Sequence, residues 1–229
     1  MFFDINYLFY MIPAFILMAM TSWYVKSAYK KWSQVRARSG LTGAQATQRL
    51  IAAGGLYDVR VEGIAGDMTD HYDPRNKVLR LSQGVANVPS VAALAIAAHE
   101  LGHAMQDAEN YFPLRLRATL VPAVNIGSNL GWILILLGLF LGFTQLAWVG
   151  VIAFSAGTVF ALATLPVEFD ASARAKRLLA DSGIISGPDE MNGVNNVLNA
   201  AALTYVAGLV TAVLQLLYYV SLVSGRSRD

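Results

Sequence analysis

The chain has no cysteine. That absence excludes thiolate metal sites and disulfides, and says little else about redox compartment. Charge is scarce as well. Only 14% of residues are Asp, Glu, Lys or Arg, against 55% hydrophobic, and the mean hydropathy is +0.47. Soluble globular domains carry about 25% charged residues, so this composition points to a membrane protein. No basic groove interleaved with aromatics is visible, which argues against a nucleic-acid partner. No Lys or Arg precedes the first apolar stretch, so that stretch does not read as a signal peptide. Histidine is rare, with three in 229 residues.

What is abundant is apolar sequence in long runs. The first spans Tyr7 to Val25, flanked by Asp4 before it and by Lys26, Lys30, Lys31, Arg36 and Arg38 after it. The second spans Val121 to Phe143 and the third Leu146 to Leu165, joined by the uncharged turn Gly142-Phe143-Thr144-Gln145. Each is long enough to cross a hydrocarbon core of about 30 Å, and the pair reads as a helical hairpin. Asn125, Ser128 and Asn129 either bond across helices or lie near the interface. The fourth run spans Ala200 to Val223, after the more polar Pro188 to Asn199, and either crosses or packs as a re-entrant segment. Residues 26–118 and 166–199 hold every Lys and Arg except Arg226 and Arg228. That asymmetry predicts a cytoplasmic location for both stretches and an external tail, Gly225–Asp229.

The expected organisation is therefore a mainly α membrane protein with about four transmembrane helices and a small α+β cytoplasmic domain. Residues 1–25 form the first helix, 26–118 a cytoplasmic insert, 119–165 the hairpin, 166–199 a second cytoplasmic segment, and 200–229 the last helix and tail. Within the insert, Thr42-Gly43-Ala44-Gln45 is a capping box opening a helix that Gly54-Gly55 stops. Leu56–Val61 and Lys77–Ser82 alternate and are predicted as strands. A strand just before the next helix either holds an extended peptide by edge pairing or merely supports that helix.

Two of the three histidines fall in Ala97-Ala98-His99-Glu100-Leu101-Gly102-His103-Ala104. Ser90 is a fitting N-cap, and Val91, Leu94, Ala95 and Ala98 mark an apolar helix face running into His99. Residues four apart share a face, so His99 and His103 can offer two imidazole nitrogens to one metal ion. Glu100 sits beside that face, within reach of a water at the metal. Imidazole and carboxylate ligands with one open position suit a single zinc ion. His-Glu-x-x-His is the signature of a zinc peptidase with the Glu as general base.

Two histidines do not complete such a site, which takes three protein ligands and a water. Glu168, at the cytoplasmic end of the third apolar run, is expected as the third; a simple helix-end carboxylate is the plain alternative. Asp170 points to roughly the opposite face and is expected as a partner that fixes an imidazole. His71 lies in the turn-rich stretch Asp70–Asn76 and is open between a ligand, a site-adjacent group and a polar turn residue bonded to Asp70 or Asp73. His71, Tyr72 and Arg80 are equal candidates for an oxyanion donor. Arg174, Lys176 and Arg177 read as interface anchors.

Four runs together carry a resemblance: Asp70-His71-Tyr72-Asp73-Pro74-Arg75, Leu79-Arg80-Leu81-Ser82, Ala97 to Gln106, and Pro166-Val167-Glu168-Phe169-Asp170-Ala171-Ser172. They resemble the YugP-like bacterial membrane zinc metallopeptidases over nearly the whole chain, including the order of apolar segments. The resemblance implies His99 and His103 as zinc ligands, Glu100 as catalytic base and a neutral zinc peptidase activity; the expected setting is a zincin-like domain at the bacterial inner membrane. In the broader gluzincin comparison, the downstream ligand opens a Glu-x-x-x-Asp pattern; here Ser172 stands at the last position. The resemblance implies no particular substrate; the expected partners are the lipid bilayer and a protein or peptide substrate, with the oligomeric state open. Two other functions fit the motif: a non-catalytic membrane protein with a structural or sensory zinc site, and an intramembrane protease. The second is disfavoured by an apolar run of only about eight residues before His99 and by the lack of a Leu-Asp-Gly element.

Overall fold

The computed structural model describes residues 5–226. Asp4, Arg228 and Asp229, used in the orientation reading, lie outside the described residues. The elements in chain order are α1 (Ile5–Ser33), α2 (Gly43–Gly54), β1 (Arg60–Ile64), β2 (His71–Asp73), β3 (Val78–Ser82), α3 (Gln83–Ala86), α4 (Val91–Ala108), α5 (Phe112–Phe140), α6 (Thr144–Asp181) and α7 (Pro188–Arg226). Among the described residues, α1, α5, α6 and α7 are the helices long and apolar enough to cross a membrane. Each begins before its apolar run, and α1, α6 and α7 also continue past it, whereas α5 stops at Phe140, ahead of the expected Phe143. Hydropathy marks only the greasy part of a helix, and the polar turns that continue it escape detection. α6 runs on through Pro166 to Asp181.

The chain forms two compact units. One comprises the residues up to Thr21, Arg115–Pro166 and those from Thr204 onward. Here α5 and α6 fold back on each other through Gly142, whose φ of 68° suits glycine. A Cβ on Gly131 would lie 2.8 Å from the Gly150 carbonyl oxygen, and one on Gly138 would lie 2.4 Å from the Ala147 nitrogen. Only glycine lets these backbones approach so closely, the usual device for packing helices in lipid. Ile135, Leu139, Val151, Tyr218 and Tyr219 fill the interior of this unit. Phe140 and Ile152 are 87% and 70% exposed, a surface suited to lipid rather than water. Asn129 donates to the Asn125 carbonyl at 2.9 Å, a bond within α5.

The other unit comprises Ser22–Leu114 and Val167–Leu203. Its centre is α4. Val91, Leu94, Ala97, Ala98 and Leu101 are fully buried, against Leu50, Leu79, Leu81, Val85, Leu179 and Leu198. Each such leucine contributes about 1.5–3 kcal/mol through burial. The alanines keep α4 thin enough to be surrounded. Ser90 caps it, accepting from the Ala93 amide at 3.2 Å. The capping box at Thr42 and Gln45 is formed in both directions.

The sheet is three-stranded, in the order β1-β3-β2, with β1 parallel and β2 antiparallel to β3. This revises the expected two-strand ribbon. Leu56 belongs to the cap of α2 rather than to a strand. Gly55 takes φ of 68°, and the Leu56 amide donates back to the Ile51 carbonyl at 3.0 Å. This is the hydrophobic residue of a helix stop. The strand begins only at Arg60. His71 lies in a strand, not a turn, because His71–Asp73 pairs with Val78–Arg80 across a tight connection. β3, the strand before α4, is central, so it has no free edge for a peptide.

Candidate metal centre

α4 presents His99 and His103 one turn apart, with ring centroids 4.8 Å from each other. α6 brings in Glu168, only 2% exposed. Its Oε2 lies 3.4 Å from Nε2 of His99 and 3.6 Å from Nε2 of His103. All three ligand atoms fall within 4.8 Å of one another. Tetrahedral ligands at zinc distances stand about 3.3–3.5 Å apart, so this donor set fits that ion.

The fit depends on close contact between α4 and α6. A Cβ on Gly102 would lie 2.5 Å from the Ala171 carbonyl oxygen. Only a glycine between the two histidines allows α6 so near. Outer atoms of the imidazoles are held too. Nδ1 of His99 lies 3.2 Å from the Ser172 hydroxyl, and Nδ1 of His103 lies 3.0 Å from Oε1 of Gln106. Gln106 is fully buried, and its Nε2 donates to the Val167 carbonyl at 2.8 Å and to Asp170 Oδ2 at 2.9 Å. Asp170 also accepts from Arg174 Nε at 2.6 Å, and Arg174 Nη1 pairs with Glu109 at 2.8 Å. Asp170 thus touches His103 through Gln106 rather than directly. Arg174, read from sequence as an interface anchor, is instead packed between two carboxylates.

Glu100 lies beside the cluster. Its Oε2 accepts from the backbone amide of Tyr72 on β2 at 3.1 Å. Burial pushes its carboxyl above the usual range, against the downward pull of His99 and His103. The Tyr72 hydroxyl donates to Asp107 Oδ2 at 2.9 Å; burial, then that carboxylate, raises the phenol. His71 and Arg80 belong to a separate group. Nδ1 of His71 contacts the Thr69 carbonyl at 2.9 Å, and its Nε2 lies 3.4 Å from Arg80 Nη1. Arg80 pairs with Asp73 at 3.0 Å and with Glu62 at 3.6 Å. His71 is not part of the His99, His103 and Glu168 group.

Sequence reasoning assigned no role to Gln106 and treated Ser172 as a departure. Their spacings carried the signal: Gln106 is three residues after His103, and Ser172 is four after Glu168, each on the same helix face.

A helical membrane protein bearing His-Glu-x-x-His and a carboxylate from a later helix has the build of a membrane metallopeptidase. Residues 7–224 match the model of the family described as "Putative neutral zinc metallopeptidase". The chain belongs to that family. It is 45% identical over 224 residues to "Putative membrane protease YugP" of Bacillus subtilis strain 168, covering 97% of this chain and 99% of that protein. No solved structure matches it.

Proposed function

We propose that the protein is a zinc-dependent endopeptidase, acting on membrane-associated or unfolded proteins at the cytoplasmic face of the bacterial inner membrane. The observation that carries this reading is the meeting of His99, His103 and Glu168 beside the carboxylate of Glu100. His99, His103 and Glu168 would hold one zinc ion per chain. When bound, zinc polarises a peptide carbonyl and brings the pKa of a water near 7.

Glu100 is the general base. Burial raises its carboxyl, and the Tyr72 amide holds it in place. It takes the proton of the attacking water and delivers it to the nitrogen of the leaving amine. β2 lies at the sheet edge, and its Tyr72 amide faces Glu100, so an extended substrate would run alongside this strand. The cytoplasmic assignment rests on the Lys and Arg bias. α4 is not among the four membrane-length helices, which favours a site outside the hydrocarbon over an intramembrane protease. A closed structural zinc site would need a fourth protein ligand. Asp170 is engaged by Gln106 and Arg174, which favours an open, catalytic site.

The test compares wild type with Glu100→Gln. The variant is expected to keep zinc and lose hydrolysis of unfolded substrate, and membrane-associated fragments seen with wild type should vanish from its proteome. Retained turnover would overturn the assignment of Glu100.

A further inference from the structure

We infer that Gln106 is a positioning residue that dictates which nitrogen of His103 faces the metal, through an orientation chain running from Arg174. This rests on the zinc reading above.

The orientation of a buried amide is usually ambiguous, because its oxygen and nitrogen look alike. Here the surroundings decide it. Two acceptors, the Val167 carbonyl and Asp170 Oδ2, lie 2.8 and 2.9 Å from one end of Gln106. Neither can donate, so that end must be the NH2 group. Asp170 is kept an acceptor by Arg174, whose Nε reaches it at 2.6 Å and whose Nη1 is anchored by Glu109. The oxygen of Gln106 must then face His103, 3.0 Å from Nδ1. A carbonyl oxygen only accepts. Nδ1 therefore carries the proton, and Nε2 presents its lone pair toward Glu168 and the metal position. Which imidazole nitrogen binds a metal is set by the hydrogen bond of the other.

The chain joins His103 and Gln106 on α4, with Glu109 just past its end, to Val167, Asp170 and Arg174 on α6. Ser172 on His99 lacks this property, since a hydroxyl both donates and accepts and so leaves the tautomer of His99 undecided.

The test compares wild type, Gln106→Leu and Gln106→Glu in detergent, measuring zinc affinity by chelator competition and thermal stability of the metal-free proteins. Ring nitrogens of the zinc-loaded proteins are read by 15N NMR, which three histidines keep uncrowded. Gln106→Glu keeps an acceptor for Nδ1 but sets a charge against Asp170 and the Val167 carbonyl. Gln106→Leu removes the acceptor without adding charge.

A tautomer role predicts crossed orders. Leu is the more stable variant, yet binds zinc about 10–100-fold more weakly than wild type, while Glu stays closer to wild type in affinity. A merely structural role predicts the same order in both measurements, and that result would overturn the inference. The wild-type spectrum decides independently, should either variant fail to fold. A proton on Nδ1 of zinc-bound His103 is expected; a proton on Nε2 overturns the inference while leaving the peptidase reading intact. Wild type that binds no zinc overturns both.

Discussion

Gly102→Ala tests whether helix spacing assembles the metal centre. Helix propensity alone favours the change, since Ala in a helix interior is about 1 kcal/mol better than Gly. The packing opposes it. The new Cβ would stand 2.5 Å from the Ala171 oxygen and 3.1 Å from its Cα, and both neighbours are backbone. Reaching an ordinary contact of 3.4 Å requires α4 and α6 to part by up to about 0.9 Å. Such overpacking costs about 1–3 kcal/mol, enough to cancel or exceed the propensity gain. The larger effect falls on the site. The Nε2 to Oε2 separations, 3.4 and 3.6 Å, would open toward about 4 Å, whereas metal–ligand distances tolerate roughly 0.2 Å. We expect zinc affinity to fall at least about tenfold, with hydrolysis falling in step. Chelator competition in detergent measures the first and cleavage of an unfolded substrate the second. Zinc affinity within about twofold of wild type would refute the claim that Gly102 sets the ligand spacing.

Glu168→Gln keeps the side-chain volume but removes the charged donor, and should weaken zinc binding by roughly 100-fold in the same titration; unchanged affinity would remove Glu168 from the ligand set. Glu100→Gln should also stabilise the metal-free protein. The Glu100 carboxyl is held above its ordinary value, so its contribution is fully present below the unfolded value and is lost as pH rises toward the folded one. The variant should therefore melt with wild type in acid and above it at pH 8 in thermal scans. Equal melting at both pH values would remove the inferred charge burial.

What the sequence revealed was local chemistry with fixed spacing. The capping box at Thr42, the Ser90 cap and the shared face of His99 and His103 each depend on residues a few positions apart, so their patterns were readable without a fold. Glu168 was found by a different route, as a carboxylate at the end of an apolar run where lipid would not tolerate it. What escaped depended on distant partners. β2 is built from Asp, His and Tyr in a stretch dominated by turn formers, and only pairing with Val78–Arg80 makes it a strand. Leu56 looked like a strand residue because the alternation through Val61 includes it, although the Gly54-Gly55 stop already put it where a helix cap folds back. Arg174 looked like an exposed anchor because Glu109 meets it only after α4 and α6 pack, although Asp170 stands one turn away on the same helix.

The carboxylate at 168 lies in α6, past the turn at Gly142 in chain order, whereas the paired imidazoles precede α5. A nascent chain halted before α6 emerges carries Glu100 and the two imidazoles, but not the third member of the metal group. On the proposed reading, hydrolytic competence would then arrive only after α1, α5 and the apolar part of α6 have been made. On the proposed reading, a ribosome-bound fragment of that length would be harmless to itself and to its neighbours.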